Sequence, residues 1–99
     1  MDYRNQLDFS GQVVAITGGA SGIGLETAKA FASCGAGIAL LDLGDGALSA
    51  AAEALAVFGV QISTHVVNVT DPAAVDAAAD AVVAVHGKVA VLINSAGIA

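Results

Sequence analysis

Residues 13–24 read VVAITGGASGIG, a short apolar run followed at once by a stretch rich in glycine. The run from Val13 to Thr17 is typical of a buried strand, and the helical spacing of the residues after it predicts a helix. Between the two, Gly18 permits a tight turn, Gly22 lets the backbone approach a pyrophosphate, and Gly24 lets helix and strand pack closely. This strand–turn–helix unit predicts a phosphate-binding loop, because backbone N–H groups and the positive end of the helix attract anions.

Three more apolar runs follow at intervals of about 25 residues, from Ile38 to Leu43, from Ile62 to Val67 and from Val89 to Asn94. Their continuous apolar character is typical of parallel strands that helices cover on both faces. Helical spacing predicts helices from Gly22 to about Cys34, from Gly46 to Phe58 and from Asp71 to Gly87. The alternation predicts an α/β fold, a Rossmann-type doubly wound parallel sheet in strand order 3-2-1-4. The predicted sheet is truncated after strand four.

Each predicted helix also has a predicted inner face and predicted ends. The inward residues are Ile23, Thr27, Phe31 and Cys34 in the first helix, Leu48, Ala51, Ala52, Leu55 and Phe58 in the second, and Val75, Ala78, Val82 and Val85 in the third. Asp45 and Asp71 are the expected caps of the second and third helices, since a carboxylate accepts hydrogen bonds from the first-turn N–H groups. Gly35, Gly59 and Gly87 are expected to end the three helices.

The charge of the chain limits its partners. Nine acidic residues against three basic ones give a net charge of −6, which repels nucleic acids, and any bound phosphate must be held mainly by backbone N–H groups. No apolar run is as long as the roughly 18 residues of a membrane span, so no membrane partner is expected. The opening residues 1–6 carry no apolar signal core, which predicts a cytoplasmic protein.

Asp42 closes the second predicted strand, 18 residues after Gly24. An acid at this point can accept hydrogen bonds from both hydroxyls of the adenosine ribose, and its charge repels a 2′-phosphate. Neither the glycine loop nor residues 43–47 contain Lys or Arg. The sequence therefore predicts NAD(H) in preference to NADP(H). The alternatives are a solvated acid at a strand end and a glycine-rich turn that binds nothing.

These residues resemble the short-chain dehydrogenase/reductase family, whose Thr-Gly-x-x-x-Gly-x-Gly fingerprint is matched by residues 17–24. The family's Asn-Asn-Ala-Gly segment is similar to residues 94–97, NSAG, and its Asp-Val-Thr-Asp segment is similar to residues 68–71, NVTD. By resemblance, Asn94, Ala96 and Gly97 lie beside the adenosine ribose and pyrophosphate, whereas Ser95 departs from the family pattern. By the same resemblance, Asn68 and Val69 contact adenine, and the amide oxygen of Asn68 accepts from the adenine amino group more weakly than the family's carboxylate. The predicted cofactor-binding residues are Gly18, Ser21, Gly22, Ile23, Gly24, Asp42, Leu43, Asn68, Val69, Asn94, Ala96 and Gly97.

The resemblance implies an oxidoreductase that transfers hydride between NAD(H) and a small alcohol or carbonyl substrate, with further similarity to polyol (galactitol-type) dehydrogenases. The family's catalytic Ser, Tyr and Lys and its supporting Asn follow the segment that resembles residues 94–97, so no catalytic residue is carried over. Residues 1–99 are therefore expected to be a cofactor-binding half-domain that is inactive alone. His65 and His86 are interpreted as structural.

Two alternatives stay open at this point. The chain could be a non-catalytic nucleotide-binding module or a folding fragment, whereas a purely structural α/β interaction module would make the glycine loop, Asp42 and residues 94–97 a coincidence. Strand four, apolar from Val89 to Ile93, would be an open edge that can pair with another chain. We therefore expect the isolated chain to form homo-oligomers or aggregates, unless it is part of a longer protein.

Overall fold

The computed structural model describes residues 8–20 and 22–95. Its elements are β1 (Val13–Thr17), α1 (Gly22–Ser33), β2 (Gly37–Asp42), α2 (Asp45–Leu55), a 3-10 turn (Ala56–Phe58), β3 (Ile62–Val66), α3 (Pro72–His86) and β4 (Val91–Asn94). The order of strands and helices is the predicted one. The strand bounds differ by one or two residues, since β2 begins at Gly37 and β4 at Val91. None of the described helices is long and apolar enough to cross a membrane.

The four strands form one parallel sheet in the order β3-β2-β1-β4, which confirms the predicted topology. The register places Thr17 of β1 beside Leu41 of β2 and Asn94 of β4, and Asp42 beside Val66 of β3. The ends of all four strands therefore meet along one edge, which we call the carboxyl edge. In open sheets of this kind, ligands bind outside that edge.

Alternate residues of the strands build two separate cores, one on each face of the sheet. On the first face, Val14, Ile16, Ile38 and Leu40 pack under α1 and α2, with Ala28, Ala32, Leu48, Ala51 and Leu55. On the second face, Ala15, Ala39, Leu41 and Val67 pack under α3, with Ala78 and Val82. Side chains of a strand alternate between faces, so strands covered on both sides need apolar residues throughout. This explains the continuous apolar runs.

The predicted inner face of α1 is wrong at Ile23 and confirmed at Phe31, which packs against the first core. Ile23, expected to point inward, is 60% exposed, and the buried residues are Gly24, Ala28 and Ala32. Leu25 and Phe31 pack at the margin of the first core. The buried residues are spaced four apart and are small, because α1 lies too close to the sheet to accommodate large side chains there.

The second helix begins one residue earlier than predicted, and its cap is not Asp45. Gly44 is the N-cap, in an extended conformation and without a side-chain hydrogen bond, and Asp45 is the first helical residue. A carboxylate in the first turn still interacts favourably with the helix dipole. Leu48, Ala51 and Leu55 are buried as predicted, while the helical backbone tightens into the 3-10 turn before Gly59 ends it at φ 69°.

The third helix has the predicted ends. The carboxylate of Asp71 accepts hydrogen bonds from two first-turn N–H groups, Pro72 lies in that turn, and Gly87 follows the helix at φ 80°. Ala78 and Val82 are buried, but Val85, expected to point inward, is 46% exposed. The helix contacts β3 and β2. The face of β4 that carries Leu92 is left uncovered, with Leu92 69% exposed.

Two histidines meet a serine where α3 ends over β3. The hydroxyl Oγ of Ser63 lies 2.8 Å from Nε2 of His65 and 2.7 Å from Nε2 of His86. The Nδ1 atom of His86 is buried without a partner among the described residues. Burial lowers the pKa of both imidazoles below the ordinary value of 6.5, and the charge of His65 lowers the pKa of His86 further. Desolvation therefore outweighs the helix dipole, which favours a cation at this position.

The histidine pair predicts a loss of stability in mild acid. Both pKa values are lower in the folded than in the unfolded state, so the unfolded state binds more protons once the pH falls below about 6.5. We expect the free energy of unfolding, measured by urea denaturation, to be nearly constant well above that pH and to decrease as the pH falls through and below about 6.5. The variant His86→Gln should show a shallower decrease. Equal slopes for the variant and the wild type would contradict this account.

Candidate functional site

The glycine loop connects β1 to α1 at the carboxyl edge. Gly18 has a left-handed φ of 69°, and its N–H donates to the carbonyl of Leu41 at 2.7 Å, which holds the turn against β2. Gly22, at the start of α1, is also left-handed, with φ 57°. Among the described residues, a Cβ atom added at Gly22 would meet no atom within 4 Å apart from its chain neighbours and its own helix backbone. The space beside Gly22 is therefore open to a ligand that approaches the backbone.

Gly24 marks the closest approach of α1 to the loop. A Cβ atom built at this position would overlap the carbonyl oxygen of Gly18 and lie 2.7 Å from Oγ of Ser95. Real Cβ atoms essentially never approach a heavy atom this closely. The absence of a side chain at Gly24 therefore allows α1 to point its first turn at the carboxyl edge.

Ser95 is a site residue that the sequence reasoning missed. It is 8% exposed, and its Oγ donates to the carbonyl of Thr17 at 2.6 Å and lies 3.2 Å from that of Gly18. The neighbouring Asn94 accepts through Oδ1 from the hydroxyl of Thr17 at 2.8 Å. The end of β4 is thus tied to the start of the glycine loop. The available signal was a serine directly after an apolar strand. Ser95 was left out of the predicted cofactor-binding residues because it departs from the family pattern.

The carboxylate of Asp42 lies against the glycine loop. Its Oδ2 accepts from the N–H of Ala20 at 3.0 Å, and its Oδ1 accepts from the N–H of Leu43 at 2.7 Å. A carboxylate offers about four acceptor positions, so about two stay available after these bonds. The side chain is half-buried. Asp42 is therefore held in one place with capacity to accept hydrogen bonds from two hydroxyls.

Beyond Asp42 lies a recess of about 140 Å³, lined by Gly18, Asp42, Leu43, Val67, Asn68 and Val69. We call it the β2–β3 recess. It is smaller than the roughly 300–1,000 Å³ of a pocket for a whole drug-sized ligand, so it suits one part of a larger molecule. Its apolar lining comes from Leu43, Val67 and Val69, which can contact the face of a flat ring, while Asn68 supplies a polar side chain.

The start of α1 has the features of an anion-binding site that needs no cationic side chain. The first turn of α1 carries no acidic residue. The first N–H groups of any helix lack partners within the helix. Lys29, later in α1, lies 3.4 Å from Glu26. Backbone amides and the helix dipole therefore supply the positive potential at Gly22 and Ile23, as in other helix N-termini that bind phosphate.

The structure brings most of the predicted cofactor residues together. Gly18, Asp42, Leu43, Asn68 and Val69 line the β2–β3 recess, Gly22, Ile23 and Gly24 form the adjoining first turn of α1, and Asn94 follows on the neighbouring strand. Ser21, Ala96 and Gly97 lie outside the described residues. An acceptor pair for a ribose, open N–H groups for a pyrophosphate and a small apolar recess are thus arranged in the order in which an adenosine diphosphate group would need them.

A comparison with protein families matches residues 12–99 to the short chain dehydrogenase family. Galactitol 2-dehydrogenase (L-tagatose-forming) from Cereibacter sphaeroides is 45% identical over 100 residues, covering 100% of this chain and 38% of the relative. D-threitol dehydrogenase from Mycolicibacterium smegmatis is 45% identical over 103 residues, covering 100% of this chain and 37% of the relative. The chain therefore spans less than two fifths of the length of either relative.

Solved structures agree with the family match. NAD⁺-bound xylitol dehydrogenase superposes with a TM-score of 0.83 at 39% identity, over 85% of this chain and 32% of the other. L-sorbose reductase from Gluconobacter frateurii, complexed with NADPH and L-sorbose, superposes with a TM-score of 0.82 at 40% identity, over 86% of this chain and 33% of the other. The chain belongs to the short-chain dehydrogenase family, as the motifs at residues 17–24 and 94–97 predicted.

The close approach at Gly24 predicts opposite effects of the same substitution in two helices. Gly24→Ala should lower the free energy of unfolding by about 2–3 kcal/mol or more, because α1 must move away from the loop. Gly46→Ala, in α2, adds a Cβ that meets nothing within 4 Å and should raise stability by roughly 0.5–1 kcal/mol. Urea denaturation of both variants measures the difference. A tolerated Gly24→Ala would show that the helix does not depend on this contact.

Proposed function

We propose that this chain is the NAD(H)-binding portion of an alcohol oxidoreductase. The observation that carries the proposal is the position of Asp42, whose carboxylate is held against the glycine loop by the N–H of Ala20 and keeps unused acceptor positions. An acid at this place, beside open helix N–H groups, suits a ribose linked to a pyrophosphate.

The parts of the cofactor are assigned to separate groups of residues. Gly22, Ile23 and Gly24 would donate backbone N–H groups to the pyrophosphate, and Asp42 would accept from the ribose hydroxyls. The β2–β3 recess would hold the adenine base, with Leu43 and Val69 against the ring. Asn94 would lie near the ribose. The bound NAD(H) would supply the hydride acceptor or donor at its nicotinamide ring.

Charge supports NAD(H) rather than NADP(H). The solved relatives include one with NAD⁺ and one with NADPH, so similarity alone does not choose between them. In this chain, Asp42 would face the 2′-position of the ribose, where a phosphate would meet a second negative charge. Residues 17–24 and 43–47 contain no Lys or Arg to compensate for it.

The activity proposed for the whole protein is hydride transfer between NAD(H) and a small alcohol or the matching carbonyl, with polyols as the first candidates. Galactitol and D-threitol dehydrogenases, as relatives at 45% identity, support this substrate class. The 99 residues contain a single tyrosine, Tyr3, and no Tyr-x-x-x-Lys sequence. Hydride transfer needs a proton donor or acceptor at the substrate oxygen, so the 99-residue chain alone is expected to be inactive. A cytoplasmic location is part of the same proposal, which cell fractionation tests.

Self-association of the 99-residue chain is also proposed. Among the described residues, β4 pairs on one side only, with β1, and Leu92 on its uncovered face is 69% exposed. An open apolar edge favours pairing with a second copy. Light scattering at tens of micromolar should show dimers or larger species that Leu92→Lys disrupts and Val57→Lys does not, since Val57 is also apolar and is 82% exposed but lies after α2. A monodisperse wild-type monomer would refute it.

The role of Asp42 predicts a change in cofactor binding. Asp42→Ala should weaken NADH binding by roughly tenfold or more, because charge-assisted hydrogen bonds contribute about 1.5–3 kcal/mol each. It should also reduce the preference for NADH over NADPH. The matched control is Asp45→Ala, which removes the same charge three residues away, in the exposed first turn of α2. Titrations followed by NMR suit the weak binding expected of the 99-residue chain. Equal effects of the two substitutions would contradict the proposal, as would a wild-type chain that binds neither cofactor.

A further inference from the structure

Ser95 directs its hydroxyl at two successive carbonyls where β1 passes into the glycine loop. Its Oγ lies 2.6 Å from the carbonyl oxygen of Thr17 and 3.2 Å from that of Gly18, and the residue is 8% exposed. A serine hydroxyl has one hydrogen, so the two oxygens share it. A buried hydroxyl thus faces the backbone of the loop from the end of the neighbouring strand.

The two carbonyls depend on this hydroxyl to different degrees. The carbonyl of Thr17 also accepts from the backbone N–H of Ser95 at 3.1 Å, so it keeps a partner if the hydroxyl is removed. Among the described residues, the backbone hydrogen bonds of the loop include none to the carbonyl of Gly18. That oxygen faces Gly24, where a Cβ atom would overlap it. The hydroxyl of Ser95 therefore holds the Gly18 carbonyl against Gly24.

The orientation of the Gly18 carbonyl matters for the anion site at the first turn of α1. The N–H groups of Gly18 and Ala20 already donate, to Leu41 and Asp42, so the amides left for an anion are those at the start of α1. A carbonyl oxygen is the negative end of a peptide dipole and repels a nearby anion. A Gly18 carbonyl that turned outward would therefore lower the positive potential at these amides.

We propose that Ser95 is a positioning residue for the pyrophosphate of the cofactor and acts through the carbonyl of Gly18. This inference rests on the proposed function, since it assumes that the first turn of α1 binds the pyrophosphate of NAD(H). Ser95 is buried, so it acts through the backbone of the loop rather than by contact with the phosphates. Its hydroxyl keeps the Gly18 carbonyl turned inward, and a ligand that approaches Gly22 meets N–H groups.

The test compares adenosine 5′-diphosphate with adenosine, which share base and ribose and differ by the pyrophosphate. Dissociation constants for the 99-residue chain and for Ser95→Ala are measured by NMR titration. Ser95→Ala should weaken binding of the diphosphate by roughly threefold to tenfold, the value of one ordinary hydrogen bond. The affinity for adenosine should stay unchanged, because its groups lie at Asp42 and the β2–β3 recess. A purely structural role of Ser95 would not change one affinity without the other.

Three further variants make the test specific. Ser95→Thr keeps the hydroxyl and should keep the affinity for the diphosphate. Ser33→Ala removes a hydroxyl that donates to the carbonyl of Ala30 at 2.7 Å, at the other end of α1, and should change neither affinity. Urea denaturation establishes that each variant is folded. If Ser95→Ala does not fold, Ser95→Cys replaces it with the same expected direction, since a thiol is a weak donor.

The outcomes separate the two proposals. If Ser95→Ala binds the diphosphate as tightly as the wild type, or loses affinity for both ligands by the same factor, the role of Ser95 is overturned while the cofactor proposal stands. If adenosine binds too weakly to titrate, a loss of diphosphate affinity in Ser95→Ala that Ser95→Thr and Ser33→Ala do not share supports the role, and an equal loss in all three overturns it. If the wild type binds neither ligand, the proposed function fails and the inference fails with it.

Discussion

The contact between Gly24 and the carbonyl of Gly18 is the constraint on which the rest of the structure depends. It places the first turn of α1 against the glycine loop. Ser95, directly after β4, contacts the same carbonyl oxygen through its Oγ. The small residues Ala28 and Ala32 continue the same close face along the helix. Because α1 packs this closely, its first turn lies at the carboxyl edge.

In the proposed complex, a protein with a net charge of −6 would bind a pyrophosphate against its own electrostatic field. The arrangement around Asp42 explains how the site avoids that conflict. The carboxylate accepts from the N–H of Ala20 in the loop itself, and this charge-assisted hydrogen bond fixes the acid beside the loop. In the proposed complex, Asp42 would accept from the ribose hydroxyl groups, and the phosphates would meet backbone amides.

Much of the fold could be predicted because it depends on patterns within short stretches of the sequence. The strands were predictable because burial on both faces demands continuous apolar runs, and their order because parallel connections are right-handed. The glycine loop was predictable because a tight turn and a close helix–strand approach favour glycine. The position of Asp42 was predictable because it directly follows the apolar run of the second strand. The third helix was predictable from Asp71 and Pro72, which define its start.

The wrong and missed predictions share one cause. Each concerns packing or a contact between segments that are far apart in the sequence. The inner face of α1 was set by size rather than hydropathy, so Ile23 points outward although it is the most apolar candidate. Ser95 contacts a backbone carbonyl 78 residues earlier in the chain, which no local pattern shows.

The central claim is that the carboxyl edge binds the adenosine half of NAD(H), and amide chemical-shift mapping during an NADH titration tests it most directly. The account predicts shifts at Gly22, Ile23, Leu43 and Val69. It predicts none at Gly37, Gly59 and Gln61, which line a recess of about 420 Å³ at the opposite end of the strands. Shifts confined to that opposite recess, or none at the glycine loop, would contradict the account.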